Sequence, residues 1–371
     1  VWQIFSDEKK LPPLSWFLIF AGLYRLIFLL SFPILPALYE SSDIGFGYSG
    51  QTPSALAIYL VHWPGGAIFY WRIILLLLES ALGFLLFILM RYFGISAYRM
   101  LILLLNPLWI IEIFRNGHGQ LTGILLLWLA ISLFYLKKDW TALPATVLSF
   151  FVSMVPLPAY LPFLYKKFWL KVILLLTGMT LIIFIFSSTG MMPSYHFIFA
   201  VDREAFNGLP ISAGIYFLEY FNFVGQEDVV INWFGYPVAV YTRAEFYILL
   251  PIAFIILAVI IAQIKKLNLT VNFRSINYLQ SSFVVSAALL LFSPVLHPWH
   301  LLWILPFIVF LPNWSWLFFT ALIQISYLVP VDQATVDSLV GPGWILLLQY
   351  VPFYGMLIAE YLDQRRIKGW F

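Results

Sequence analysis

The chain has 371 residues, of which 63% are apolar, 19% aromatic and 10% charged, with a formal net charge of +3. Soluble domains carry roughly a quarter charged residues and about half apolar ones, so this composition points away from a soluble protein and makes no case for nucleic acid. The absence of cysteine excludes disulfides, iron–sulfur clusters, Cys-ligated zinc and thiol catalysis.

Apolar runs recur along nearly the whole length and predict an all-α, polytopic transmembrane protein folded as a single domain over residues 1–371. Continuous runs such as Ile73–Leu78 and Leu181–Phe186 are incompatible with the alternating strands of a membrane barrel. Taken in chain order, the expected spans cover about 14–36, 71–91, 99–113, 120–136, 141–152, 157–165, 168–187, 246–264, 278–296, 299–312, 314–330 and 343–362. Asp7-Glu8-Lys9-Lys10 precedes a full-length first span, so no cleavable signal pattern is expected there.

Twelve segments place both termini on one side. If that side is cytoplasmic, fifteen of the twenty basic residues lie inside, including every lysine. The other five are Arg25 within the first span, and Arg72, Arg115, Arg203 and Arg243 towards the outer face. Ten of the seventeen acids fall outside. The loops at about 37–70 and 188–245 are then extracytoplasmic, and any chemistry faces outward.

The segments 141–152 and 157–165 form a short hairpin flanked by lysines. Twelve helical residues rise about 18 Å, short of a hydrocarbon core of roughly 30 Å. Pro156, Pro158 and Pro162 break it at mid-depth, which predicts that it lines an internal cleft. Within the spans, Arg25 and Glu79 are the charges most expected to pair across helices, while Glu360 is expected at the cytoplasmic interface.

Several clusters offer chemistry. Tyr39-Glu40-Ser41-Ser42-Asp43 follows the first span; a carboxylate there can serve as general base on a sugar hydroxyl, or simply begin a turn before Gly45. Asn106-Pro107 is followed by Glu112, Arg115, Asn116, Gly117, His118, Gly119 and Gln120 at a helix break. There Arg115 and His118 suit a phosphate, the alternative being a Glu112–Arg115 pair beside an Asn-Gly turn. At Ser293-Pro294-Val295-Leu296-His297-Pro298-Trp299-His300, two histidines suit a phosphate contact better than a metal, since no carboxylate sits near them in sequence. An interfacial turn carrying belt aromatics is the plainer reading. Asp202–Gly208 contains a further Asn-Gly turn at Asn207-Gly208. No phosphate-binding glycine loop, dinucleotide fingerprint or zincin motif is present.

These clusters resemble a known family. Asn106-Pro107-Leu108-Trp109-Ile110-Ile111-Glu112 with Asn116-Gly117-His118-Gly119-Gln120 is similar to the NP-x-x-(I/L)-x-E…(N/S)GH-x-D block of polyprenol-phosphate-dependent mannosyltransferases of the GT-C superfamily, relatives of the catalytic GPI mannosyltransferase. Ser293-Pro294 with His297-Pro298-Trp299-His300-Leu301-Leu302-Trp303 resembles their SP-x-x-HPW(Y/H)LLW block. Phe206-Asn207-Gly208, Leu348–Pro352 and the proline-broken hairpin around Pro156 and Pro162 resemble further segments, so the likeness runs from about residue 70 to 362. Three positions depart from the pattern: Asp43–Gly50 keeps one acid, Gln120 stands in place of an Asp, and Ser153 or Met154 stands near the usual Lys.

The resemblance implies an extracytoplasmic transfer of a hexose, most often mannose, from a polyprenyl-phosphate donor to an acceptor, without a soluble cofactor or metal. By that implication Asp43, then Glu40, is the base. Arg115, His118, Gln120, His297 and His300 face the lipid phosphate, and Asn116, Asn207 and Trp299 support them. The partners expected are membrane lipid and lipid-linked sugar, with no nucleic acid. The three departures support a rival reading, a catalytically degenerate relative kept as a subunit of a larger membrane complex. A transporter or flippase has only Arg25 and Glu79 in its favour.

Overall fold

The computed structural model describes residues 14–31, 67–115, 119–152, 159–164, 170, 173–174, 177–178, 228–233, 236–268, 275–293, 296, 298–328 and 343–368. These are overwhelmingly helical, in agreement with the all-α expectation. Helices α1 (Leu14–Ser31) and α2 (Ala67–Phe93) come first. A 3-10 turn, Ala97–Met100, leads into the short helix α3 (Leu101–Leu104). Helix α4 (Pro107–Ile110) continues directly as a π turn, Ile111–Arg115.

The segment expected as one span at 99–113 is bent by 59° between α3 and α4. Asn106 causes the break. Its backbone is extended, and its Oδ1 accepts hydrogen bonds from the N–H groups of Leu108 (3.0 Å) and Trp109 (3.3 Å), capping α4. Pro107 then occupies the first helical turn, where its missing N–H costs nothing. The amide Nδ2 of Asn106 donates to Thr320 Oγ1 at 3.0 Å, so the same side chain ties the kink to a helix 214 residues away.

Helices α5 (Gln120–Tyr135) and α6 (Asp139–Val152) form a closely packed antiparallel hairpin. The turn between them is a Schellman arrangement. Lys137 N–H bonds Phe134 O and Lys138 N–H bonds Leu133 O, with Lys137 held at φ 65°. Close approach of the pair is helped by Gly123, whose carbonyl accepts from the buried Ser149 hydroxyl at 2.7 Å.

Of the proline-broken hairpin's second arm, residues 159–164 are described and pack into the core, while the break at Pro156 and Pro158, expected to line a cleft, lies outside the described residues. Tyr160 and Phe163 are buried, and Phe163 stacks on Tyr278 and meets Phe134 edge-on. Rings in this segment find more contact among other rings than at a wet surface. The buried Ser282 hydroxyl donates to the carbonyl of Ala159, supplying a bond to backbone that prolines keep out of a regular ladder.

An antiparallel hairpin of β1 (Asp228–Trp233) and β2 (Tyr236–Thr242) follows, and α7 (Arg243–Asn268) begins directly after it. The 188–245 segment, expected as loop, therefore ends in sheet. Val229, Val230 and Ile231 pair with Tyr241, Val240 and Ala239, a β-branched and aromatic set that suits strands. The register shifts by one residue beside Pro237, which has no N–H to give the ladder. At its other end the 37–70 segment overlaps α2, which starts at Ala67.

The remaining elements are α8 (Asn277–Leu291), a 3-10 turn Pro298–Trp303, α9 (Leu305–Phe310), α10 (Trp314–Leu322), a 3-10 turn Ile323–Leu328 and α11 (Gly343–Lys368). Trp128 of α5 packs on Phe307 and Phe310 of α9, while Phe319 of α10 stacks on Phe353 of α11. Glu360 of α11 accepts from Trp314 N–H and Ser315 Oγ, each at 2.6 Å, and so caps α10. It is engaged with a neighbouring helix start, which is more than the sequence led us to expect of it.

By length and composition, two helices among the described residues can cross a membrane: Arg72–Phe93 and Ile345–Asp363. The bent pair around Asn106 makes a third if it counts as one span. Gln120–Tyr135, Asn277–Leu291 and Trp314–Ile325 are apolar but shorter. The expected segments at 299–312 and 314–330 are each divided between α and 3-10 turns.

Candidate functional site

The two sequence blocks richest in polar residues meet in space. Gln120 opens α5, directly after Gly119, and its side chain is buried. Its Oε1 accepts a hydrogen bond of 3.1 Å from the indole Nε1 of Trp303, 183 residues further along the chain. Trp303 closes the 3-10 turn Pro298–Trp303, in which Pro298, Leu301, Leu302 and Trp303 are all buried. That turn also touches α4. The apolar side of Pro-Trp-His-Leu-Leu-Trp thus seats it in the core. On the same turn Trp299 and His300 are half-buried, with their rings edge to face at 5.9 Å.

A second polar cluster supports α4 and its π turn. Arg25 of α1 donates through Nε to Glu79 Oε2 of α2 at 2.6 Å, and its Nη2 pairs with Glu79 Oε1. Both residues are only 4% exposed. Glu79 Oε1 also accepts from Trp109 Nε1 at 2.8 Å, and Arg25 Nη1 donates to Ala21 O at 3.1 Å. The guanidinium lies 5.6 Å from the ring centroid of Phe114, within cation–π range. The cross-helix pairing expected of Arg25 and Glu79 is present, and it extends to Trp109 and Phe114, which sequence spacing does not reveal.

Glu112 lies in the π turn and is wholly buried. Single π turns inside helices concentrate at functional sites, because the extra residue re-aims the side chains after it. Here the turn ends at Arg115, immediately before the Asn116–His118 segment.

Of the residues singled out in the sequence, Gln120, Trp299 and His300 are placed, and Gln120 is joined to the 3-10 turn that carries the other two. Arg115 is placed by its backbone as the last residue of the π turn. Glu40, Asp43, Asn116, His118, Asn207 and His297 lie outside the described residues. Among the described residues no three histidine or acidic side chains gather as a metal site requires. Trp303 is the participant that residue-by-residue reading passed over; its signal was its fixed position at the end of the His297–Trp303 block.

In comparisons with protein-family models, curated proteins and solved structures, nothing matches the chain.

Proposed function

We propose that the chain is an integral-membrane glycosyltransferase of the GT-C type that moves a hexose, most often mannose in that family, from a polyprenyl-phosphate donor to an outward-facing hydroxyl. The observation that carries this reading is the Trp303–Gln120 hydrogen bond. It joins Gln120, the last residue of the first block, to Trp303, which closes the turn that carries Trp299 and His300, and this supports a site drawing on both blocks.

In the step proposed, the acceptor oxygen forms a bond to the anomeric carbon while the bond from that carbon to the lipid phosphate breaks. The hydroxyl proton passes to the Asp43 carboxylate, with Glu40 as the second choice of base. The polyprenyl phosphate leaves with the bonding electron pair. Arg115, His118, Gln120, His297 and His300 stabilise its charge, and Asn116, Asn207 and Trp299 support them. Donors aimed at developing charge in a water-poor site are often the largest contribution to such a transfer. The fifteen-to-five split of basic residues supports cytoplasmic termini and an extracytoplasmic site.

The test is transfer of labelled hexose from a polyprenyl-phosphate hexose by the purified protein in detergent or nanodiscs, across a panel of hydroxyl acceptors. Transfer to at least one acceptor is expected. The alternative, a degenerate relative serving as an assembly subunit, is favoured by the three departures from the pattern: the single acid kept in Asp43–Gly50, Gln120 in place of an acid, and Ser153 or Met154 near the usual Lys. It predicts no transfer and a stable membrane partner that depends on this chain.

A further inference from the structure

We infer that one end of the helical bundle is a docking surface for the headgroups of anionic phospholipids, built around Arg91, Lys137, Lys138, Lys265 and Lys266. The inference rests on the membrane embedding proposed above and not on the transfer reaction.

Packing brings these residues to one end although they come from three stretches of chain. Tyr92, next to Arg91 near the end of α2, meets Tyr135 of α5 with ring centroids 5.7 Å apart. Lys137 and Lys138 follow Tyr135 closely, in the turn before α6. The Tyr135 hydroxyl donates to the carbonyl of Ser275 at 3.2 Å, just ahead of α8. Ser281 of α8 donates in turn to Gln263 Oε1 of α7 at 3.2 Å, and Lys265 and Lys266 lie in the last turn of that helix. All five basic side chains are exposed, and none pairs with an acid among the described residues. Helix α11 reaches the same end, because its Glu360 caps α10 close to Phe310, which Phe93 of α2 meets edge-on. Acids are too few here to cancel the charge: Asp139 follows Lys138, while Glu360 and Asp363 are followed by Arg365, Arg366 and Lys368.

The surface beneath the charges identifies the ligand. One helical turn before Arg91, Phe87 and Ile88 are exposed, and one turn before Lys265, Ile261 is exposed. Leu136 and Trp140 flank the lysine pair and are exposed as well. A free phosphate or a nucleic acid covers the bases and leaves this apolar surface in water. A phospholipid covers both, its acyl chains along the helices and its phosphate among the bases. Tyr92 and Trp140 suit the boundary between the two regions. Lys137 adds a separate observation. It holds φ 65° at a helix-ending position that favours glycine, and no hydrogen bond or ion pair to the described residues offsets that strain. A charge kept where the backbone favours glycine fits a partner outside the chain.

The test measures binding of three probes to the purified full chain in detergent: dioleoyl phosphatidylglycerol, dioleoyl phosphatidylcholine and glycerol 3-phosphate. Phosphatidylglycerol is expected to bind at least tenfold more tightly than phosphatidylcholine, with a preference that shrinks as salt is added. A basic residue beside an anionic lipid contributes about fivefold in affinity. Lys137→Gln with Lys138→Gln is expected to remove most of the preference and to leave phosphatidylcholine unchanged; Lys265→Gln with Lys266→Gln is an independent pair with the same expectation. Lys137→Gly is expected to weaken phosphatidylglycerol about fivefold without lowering the unfolding midpoint, which separates lipid contact from stability. Arg243→Gln, at the opposite end of α7, is expected to change nothing. Equal binding of the two lipids by the wild type would overturn the inference, as would an Arg243→Gln loss as large as that of either lysine pair, or unchanged binding in both pairs. Glycerol 3-phosphate bound as tightly as phosphatidylglycerol would assign the bases to a soluble anion and overturn it too. A wild type that does not enter phosphatidylcholine nanodiscs would overturn the membrane reading and the inference together; one that enters them and shows no lipid preference would overturn the inference alone.

Discussion

Arg25 and Glu79, 54 residues apart, form a two-point ion pair whose carboxylate also receives the indole hydrogen of Trp109. Around Arg25, the described side chains of α1 are mostly exposed: Leu18, Ile19, Phe20, Leu23, Tyr24 and Leu26 all face outward, and only Ala21 and Arg25 are buried. In this stretch the first helix is therefore held by charge rather than by an apolar seam. Removing one member of a buried pair leaves the other unmatched, at a cost of about 3–5 kcal/mol. Arg25→Met and Glu79→Gln should each lower the thermal unfolding midpoint in detergent by several degrees. The swap Arg25→Glu with Glu79→Arg should recover only part of this, because the Trp109 N–H then faces a cation. Adding Trp109→Phe to the swap should recover more. Full recovery by the swap alone would show that the indole bond is unimportant.

The kink at Asn106 should depend on its side chain in a graded way. Asn106→Ala removes the cap from Leu108 and Trp109 and the bond to Thr320 together. A lost cap costs about 1 kcal/mol, and buried unmatched N–H groups add about 1–3 kcal/mol. Asn106→Asp keeps the cap but loses the donor to Thr320, so its unfolding midpoint should lie between those of Asn106→Ala and the native chain.

Lys137 offers a change in the stabilising direction. It holds φ 65° in the turn between α5 and α6, where a side chain crowds the backbone and glycine does not. Lys137→Gly should raise stability by about 0.5–1 kcal/mol, read as a higher unfolding midpoint. A lower midpoint would mean that the lysine chain itself makes contacts worth more than the relief.

The proposed topology rests on the placement of basic residues and is open to direct labelling. The chain has no cysteine of its own, so a single Ser54→Cys variant reports one site cleanly. An impermeant maleimide should reach it from the extracytoplasmic side of intact cells. Reaction only from the cytoplasmic side would reverse the orientation and remove the outward-facing site.

What the sequence discloses here follows the range of the forces involved. The helices at 67–93 and 120–135 are set by continuous apolar runs, and the Arg25–Glu79 pair by the rarity of charge within such runs; both are visible residue by residue. The bend at Asn106 was also encoded, by an Asn-Pro pair that caps and starts a helix, although an apolar span drawn through it hides the break. The Trp303–Gln120 bond joins residues 183 apart; the resemblance sets their blocks at one phosphate, but spacing along the chain does not pair these two side chains. Glu360 is similar: as a lone acid near a helix end it reads as solvated, and only packing of α11 on α10 brings it to the Trp314 N–H. The β-hairpin escaped because a proline interrupts one short strand, and the Gly-, Pro- and acid-bearing stretch around it reads as loop.

The central claim, that this chain transfers a hexose with Asp43 as base, is tested most directly by comparing wild-type protein with Asp43→Asn in the labelled polyprenyl-phosphate hexose assay. Asparagine keeps the size and suits the same turn but takes no proton. General-base catalysis contributes about 10²–10⁴-fold, so transfer should fall by a factor in that range while expression and donor binding persist. Equal transfer by the two proteins would remove Asp43 from the mechanism. No transfer by the wild type from any polyprenyl-phosphate hexose, with a partner protein that disappears when this chain is deleted, would contradict the transferase account itself.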